Sequence, residues 1–202
     1  RLAYELTLNY PDSSLAWYFK SQVEKQIIQY KKALESGLKA ISIETGKSSY
    51  YYLISSIYSD LQQHKLCIAY CDSVIKIDST HIFATILKGE ALVKNGQTQA
   101  ALDQYYTLYL RDSSNINFMK RIGSLYTKMD SLNNAIDWYS RALDTDTTDI
   151  PSYTHLGNLF VLTKQYELGL PVLDKAILLD SINSLLYRFR GSLNIMGANF
   201  SA

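Results

Sequence analysis

The stretch KIDST (residues 76–80) returns in altered form three more times along the chain, each time 34 residues further on. The later copies are LRDSS (110–114), DTDTT (144–148) and LLDSI (178–182). Every copy contains an Asp followed by Ser or Thr, and these aspartates are Asp78, Asp112, Asp146 and Asp180. A fixed interval of this length is typical of a protein built from copies of one small structural unit.

Setting each of these aspartates as position 31 predicts five repeats, at 14–47, 48–81, 82–115, 116–149 and 150–183. Two positions carry a small residue in every repeat. Position 8 is Ser21, Ser55, Gly89, Gly123 and Gly157, and position 20 is Ala33, Cys67, Ala101, Ala135 and Gly169. Position 11 is large and apolar in four repeats and is Glu24 in the first. This shared register over five copies is a stronger signal than any single motif.

The apolar residues within one repeat predict a helical hairpin. In the fourth repeat, INFMKRIGSLYTKM (116–129) places Met119, Ile122 and Tyr126 at helical spacing, and SLNNAIDWYSRAL (131–143) forms a second apolar stripe. The small residues at positions 8 and 20 let the two helices approach closely. One hairpin of this size cannot bury its own apolar faces, so we expect the hairpins to stack on one another.

The pattern resembles the tetratricopeptide repeat family, whose 34-residue unit has an aromatic, then Leu-Gly, then Tyr, then Ala, an aromatic and Ala. Tyr153, Leu156, Gly157 and Phe160 carry it in YTHLGNLF (153–160). The resemblance implies an all-α fold, a right-handed α-solenoid of stacked antiparallel helix pairs, as a single domain over residues 1–202. Residues 1–13 are then the tail of a preceding helix, and 184–202 the first helix of a sixth repeat, with a turn beginning at MGANFSA.

The chain departs from the family at position 32, where the family prefers Pro and this sequence has Ser or Thr. We interpret the Asp-Ser/Thr pair as the turn between repeats, with the Asp forming a local turn bond and the hydroxyl capping the next helix. A calcium site is a poor alternative, because the aspartates lie one repeat apart without other acidic residues around them.

Composition excludes several classes of protein. The chain has 202 residues, of which 47% are hydrophobic and 19% are charged, and a net charge of +1. These values indicate a folded domain without the strong positive field that nucleic-acid binding requires, and no apolar run is long enough to cross a membrane. No targeting segment is recognised, so the cytoplasm and the periplasm both stay open as the compartment.

Residues that could carry chemistry are sparse. The three histidines are scattered, and no glycine-rich phosphate loop is present. His64, Cys67 and Cys71 can share one helical face and could begin a metal site, but they occupy packing positions and lack a fourth ligand, so core packing is the favoured interpretation. We therefore expect no enzyme activity, no cofactor and no metal. Pro171, inside a predicted helix, should kink or interrupt it.

The family resemblance implies a concave groove lined by the first helix of each repeat. Carried onto this chain, the groove positions fall on residues of all five repeats: Tyr18, Phe19, Gln22, Tyr52, Leu53, Ile86, Glu90, Asn117, Lys120, Arg121, Ser124, Lys128, His155 and Asn158. The N-terminal half of this predicted groove is aromatic and aliphatic. Lys120, Arg121 and Lys128 form a basic patch that could receive an acidic group of a ligand, and the alternative is a solvated helix face.

The expected function is a non-enzymatic protein-interaction module, an adaptor or scaffold that binds a peptide or helix of a partner in its groove. Two alternatives stay open. One is a structural array that self-associates, for which the terminal helices are the expected contact. The other is the recognition arm of a larger enzyme or regulator. The expected partner is a protein or peptide, not nucleic acid.

Overall fold

The computed structural model describes residues 2–200, with side chains described for residues 2–197. Within this part of the chain the structure is entirely helical and has no β-strand. The helices are α1 (Leu2–Asn9), α2 (Ser14–Gln26), α3 (Tyr30–Ile43), α4 (Ser48–Asp60), α5 (His64–Ile77), α6 (Ile82–Lys94), α7 (Thr98–Arg111), α8 (Ile116–Lys128), α9 (Leu132–Thr145), α10 (Ile150–Thr163), α11 (Tyr166–Leu179) and α12 (Ser184–Phe200).

The helices form two compact units that divide between Gln104 and Tyr105. In the first unit α2 packs on α3 and α4 on α5, and α3 and α5 then pack on the helix that follows each of them. In the second unit α8 packs on α9 and α10 on α11, and α12 packs on both α10 and α11. The predicted all-α fold of stacked helix pairs is confirmed. That residues 1–202 form one solenoid domain stays a prediction.

The turn inside each hairpin has the same geometry in all five repeats. The residue at position 15 has a left-handed backbone, with φ between 57° and 79°, and only the third repeat places a glycine there. These residues are Ile28, Gln62, Gly96, Asp130 and Lys164. The N–H of the next residue donates to the carbonyl of position 11, at 2.8 to 3.0 Å. This bond satisfies a carbonyl at the helix end, so hydrogen bonding compensates the left-handed backbone.

The turn between repeats is built differently from the sequence expectation. Asp78 Oδ1 accepts hydrogen bonds from the N–H and the hydroxyl of Thr80, and Asp146 does the same with Thr148. The predicted local turn bond of the Asp is therefore present. The predicted capping by the hydroxyl of position 32 is wrong, because the cap comes from position 34, where Asp149 accepts from the N–H of Ser152 at 2.9 Å.

Small residues at positions 8 and 20 lie where the two helices of a hairpin touch. The Ser21 hydroxyl donates to the carbonyl of Ala33 at 2.7 Å, so these two positions are in direct contact. At Gly169 an added Cβ would lie 2.8 Å from the Cβ of Phe160 and 2.5 Å from Leu193 Cδ1. A larger side chain at either position would therefore push the helices apart.

Two expectations about helix continuity are compared with the structure. Helix α11 runs through Pro171, so the interruption that was one of the two outcomes expected there is absent, whereas a kink stays a prediction. Helix α12 continues past Met196 and Gly197, so the turn predicted from Met196 onward does not begin there. The last two residues of that prediction, 201 and 202, lie outside the described part.

Gly169→Ala should lower the free energy of unfolding by about 1–3 kcal/mol, because its methyl group has to displace Phe160 and Leu193. Gly191→Ala is the matched control on the neighbouring helix, where an added Cβ would meet no atom within 4 Å. That variant should gain about 0.5–1 kcal/mol from helix propensity. Urea unfolding followed by circular dichroism measures both, and equal effects would contradict the close-packing account.

Candidate functional site

A cleft of about 420 Å³ opens between α2 and α4 in the first unit. It is lined by side chains from one face of each helix: Tyr18, Gln22, Lys25, Gln26, Ser49, Tyr52, Leu53 and Ser56. We call it the α2–α4 groove. Tyr18, Gln22, Tyr52 and Leu53 were predicted groove residues, and the structure brings these four together. Lys25, Gln26 and Ser49 were missed, although Gln26 is at repeat position 13, as the predicted Lys128 is, and Ser49 is at position 2, as the predicted Asn117 is.

The aromatic walls of the α2–α4 groove are held in place by their neighbours. The Tyr18 ring lies 4.9 Å from the buried Tyr50 ring, and the Gln22 amide donates to the Tyr18 hydroxyl at 3.0 Å. The Tyr52 ring lies 4.8 Å from the ring of His81. Burial raises the pKa of both Tyr18 and Tyr52, so both phenols stay protonated at neutral pH and keep a hydrogen-bond donor.

The α2–α4 groove has little charge to offer a ligand. Its one charged lining residue, Lys25, is engaged by Asp60 at 3.2 Å and by the Ser56 hydroxyl at 3.0 Å. The remaining lining groups are amides, hydroxyls, tyrosine rings and one leucine. Amides and hydroxyls can both donate and accept hydrogen bonds, as the N–H and C=O groups of a peptide backbone require.

An apolar pocket of about 400 Å³ lies beside the α2–α4 groove and shares Gln22 and Gln26 with it. Phe19 belongs to this pocket together with Leu2, Leu6 and neighbouring residues, rather than to the groove itself. The Phe19 side chain is 48% exposed. The predicted groove residues Ile86 and Glu90 lie half-buried on α6, outside both cavities.

The three cations predicted as a basic patch in the fourth repeat differ in their surroundings. Lys120 is half-buried, and its ammonium lies 2.8 Å from the Asp149 carboxylate, which is itself largely buried. The other four form an exposed stripe at helical spacing on α8: Asn117, Arg121, Ser124 and Lys128. Lys120 therefore has an internal partner for its charge, and the side chains of Arg121 and Lys128 lie exposed on the same helix.

In the fifth repeat, Asn158 is exposed on α10, and His155 stacks on Tyr139 with the ring centroids 4.7 Å apart. Partial burial lowers the pKa of His155, and repulsion from Lys120 lowers it further, although Asp149 opposes this. The imidazole is therefore neutral at pH 7, and it adds hydrogen-bonding capacity rather than positive charge to this surface.

The two cysteines are packed in the core of the first unit. Cys67 and Cys71 are free thiols, fully buried against Ala91 with Tyr58 and Leu87 beside them. A hydrogen bond with Cys67 raises the pKa of the Cys71 thiol, and burial raises it further. Over the described residues no group of three or more His, Cys, Asp or Glu side chains is arranged to hold a metal ion. No described helix has the length and apolar character needed to cross a membrane.

Comparison with known proteins gives the class. The family model of the tetratricopeptide repeat matches residues 48–81 and 121–149. No curated protein sequence matches the chain. Residues 48–81 and 121–149 are thus tetratricopeptide repeats, and the resemblance inferred from the repeat pattern is confirmed.

Solved structures share the fold over most of the chain. YrrB, described as a TPR protein with an unusual peptide-binding site, has a TM-score of 0.74 and 15% identity, and the match covers 93% of this chain and 97% of YrrB. MamA from Desulfovibrio magneticus RS-1 has a TM-score of 0.73 and 19% identity, and the match covers 84% of this chain and 96% of the MamA chain. The C-terminal part of a TPR repeat-containing protein from Cytophaga hutchinsonii has a TM-score of 0.78 and 19% identity. The match covers 90% of this chain and 72% of that chain.

The Asp149 carboxylate should stabilise the second unit in a pH-dependent way. Burial opposes its ionisation, but hydrogen bonds from Lys120 and Ser152 outweigh burial and lower the pKa of Asp149. A carboxylate with a lowered pKa stabilises the fold at pH values above the unfolded pKa of about 3.9, and this contribution is lost as the pH falls through the folded pKa.

Asp149→Ala should therefore cost about 1–2 kcal/mol at pH 7, because the helix cap and the ion pair both disappear. Asp149→Asn is the matched control, since Asn keeps the cap and loses only the charge. Urea unfolding between pH 7 and pH 2 should show the wild-type advantage over Asp149→Asn shrinking below about pH 4. An advantage that does not change with pH would contradict the ion pair.

Proposed function

We propose that this chain is a protein-interaction module that binds an extended peptide of a partner protein in the α2–α4 groove. The observation that carries the proposal is the coincidence of four register-predicted residues with one cavity: Tyr18, Gln22, Tyr52 and Leu53. Tetratricopeptide repeats as a class bind protein and peptide partners, and the relative YrrB is described by its peptide-binding site.

The chemistry of the groove favours a ligand recognised through its backbone. Gln22, Gln26 and the hydroxyls of Ser49 and Tyr52 supply donors and acceptors along the cleft, while the tyrosine rings supply apolar contact area. The adjoining apolar pocket at Phe19 can accept one bulky side chain of the same ligand. The groove therefore suits an extended, uncharged segment with an apolar residue next to it.

On the second unit, taken by itself, an acidic contact of a partner at the fourth repeat remains part of the proposal in a narrower form. Lys120 is a poor candidate for binding it, because Asp149 already occupies its ammonium. Arg121 and Lys128 lie on the exposed stripe of α8 and are the residues to test for this contact. The peptide-binding role is favoured over self-association, because a polar, peptide-sized cleft on α2 and α4 suits a partner's peptide; a recognition arm of a larger enzyme or regulator would use the same cleft.

Selection of random displayed peptides on the immobilised protein, followed by fluorescence anisotropy with a labelled synthetic copy of an enriched peptide, tests the proposal. Tyr52→Ala and Gln22→Ala should each weaken binding about tenfold or more, because they remove an aromatic wall and a backbone-binding amide. Tyr51→Ala is the matched control, since Tyr51 lies next to Tyr52 but contacts Tyr70 instead of lining the groove. It should change the affinity less than threefold.

Failure to enrich any peptide would count against the proposal, and so would enriched peptides whose affinity is lost equally in Tyr51→Ala and Tyr52→Ala. A double variant that reverses the charges of Arg121 and Lys128 tests the acidic contact. If a separate set of enriched peptides carries an acidic residue and keeps its affinity in Tyr52→Ala, this double variant should weaken the binding of that set.

A further inference from the structure

The first repeat has charged residues at two positions that are apolar in most repeats. Position 7 is Lys20 here and Lys88 in the third repeat, whereas Ile54, Ile122 and Leu156 at the same position are fully or almost fully buried. Position 11 is Glu24, where the other repeats have a tyrosine, leucine or phenylalanine. Charged residues that break a repeat's apolar pattern without loss of the fold often mark a functional site.

The structure opens a cleft of about 470 Å³ at these two residues, between α1, α2 and α3. It lies on the opposite face of α2 from the α2–α4 groove. The side chains around it are lysines, aromatic rings, two glutamates and one serine: Tyr4, Trp17, Lys20, Glu24, Lys32, Glu35, Ser36 and Lys39. We call it the lysine cleft.

The floor of the lysine cleft is a carboxylate whose oxygens are already occupied. Glu24 is 1% exposed. The Tyr4 hydroxyl donates to its Oε1 at 3.0 Å and the Ser36 hydroxyl to its Oε2 at 2.6 Å. Burial raises the pKa of Tyr4, and the hydrogen bond to Glu24 raises it further, so Tyr4 keeps the proton that it donates. Glu24 thus links three helices through these two hydrogen bonds.

The walls of the lysine cleft are fixed aromatic rings with a cation between them. The Lys20 ammonium lies 4.9 Å from the ring centroid of Tyr4 and 4.7 Å from that of Trp17. The Trp17 indole N–H donates to the carbonyl of Pro11 at 2.8 Å, which fixes the orientation of the ring. Lys20 therefore has aromatic contacts, while its hydrogen-bond donors remain available to an anion.

The rim adds two more cations. Lys32 and Lys39 lie two turns apart on one face of α3, both exposed, with Glu35 between them. Unlike Lys25, Lys47, Lys88 and Lys120, which form ion pairs with carboxylates, neither of these rim lysines has such a pair among the described contacts. Three lysines and two glutamates line the cleft, so its formal charge is still positive with the Glu24 carboxylate counted, and this favours an anion.

We propose that the lysine cleft binds a carboxylate group, with Lys20, Lys32 and Lys39 as its cationic contacts and the Trp17 and Tyr4 rings receiving the attached apolar carbons. A carboxylate accepts charge-assisted hydrogen bonds from ammonium groups. The source is either an acidic side chain of a protein partner or a small free dicarboxylate. This site is independent of the peptide proposed for the α2–α4 groove.

Two probes and a matched control distinguish these sources. The probes are acetyl-tetraglutamate amide and glutarate, and the control is acetyl-tetraglutamine amide, which has the same length without the charge. Binding is followed by the fluorescence of Trp17 and, independently, by isothermal titration calorimetry. In a Trp17→Phe variant the fluorescence change should disappear, while the calorimetric signal should remain.

The variants give effects of opposite sign. Lys32→Gln and Lys39→Gln should each weaken binding about threefold to tenfold, and Glu35→Gln should tighten it about threefold, because the competing carboxylate is removed. Lys65→Gln, which removes an exposed lysine on α5 outside the cleft, is the control for net charge and should change little. Raising the salt concentration should weaken binding.

Binding of glutarate alone would assign the site to small acids, and binding of the glutamate peptide alone would assign it to a protein partner; both support a carboxylate site. The proposal is overturned if neither probe binds saturably, if inorganic phosphate binds and neither carboxylate probe does, if Lys65→Gln weakens binding as much as Lys39→Gln does, or if Glu35→Gln fails to tighten it.

Discussion

The hairpins of this protein depend on small residues where paired helices approach each other closely, as at Ser21, Gly123, Gly157 and Gly169. In the first hairpin, the hydroxyl of Ser21 on one helix donates a hydrogen bond to the backbone carbonyl of Ala33 on the other at 2.7 Å. Where the residue is glycine, as at Gly169, a neighbouring aromatic side chain takes the vacant space. This contact sets the distance between the helices, and the faces left outside it form the groove and the cleft.

The fold could be predicted from sequence because its two strongest constraints repeat every 34 residues. Small residues at fixed positions and apolar stripes at helical spacing require no knowledge of distant contacts. The left-handed turn residue was not predictable in the same way, since Ile28, Gln62, Asp130 and Lys164 share no side-chain chemistry. The position of the helix caps was misjudged by two residues, because Asp, Ser and Thr are good capping candidates at several neighbouring positions.

The candidate site could be predicted from sequence only where its residues occupy equivalent positions in successive repeats. Tyr18 and Tyr52 occupy equivalent positions of successive repeats, and stacked repeats bring such positions together. Lys120 and Asp149 are 29 residues apart and lie on different helices. The sequence of α8 alone therefore predicted a cation available to a ligand, whereas the structure pairs it with Asp149. Glu24 was visible as an exception in the repeat, but its meaning depends on Tyr4 and Ser36, which belong to two other helices.

Helix α2 therefore presents two surfaces of different chemistry. The face with Tyr18 and Gln22 is neutral and suited to a peptide backbone, whereas the face with Lys20 is cationic and suited to an acid. We propose that peptide recognition takes place on the neutral face.

The most direct measurement of that claim is an NMR titration of the ¹⁵N-labelled protein with an enriched, uncharged peptide. The side-chain amide signals of Gln22 and Gln26 should shift with saturation, while that of Gln99, which bonds to Asp103 on α7, should not. Shifts confined to α3, at Lys32 and Lys39, with the two groove glutamines unmoved, would contradict the account.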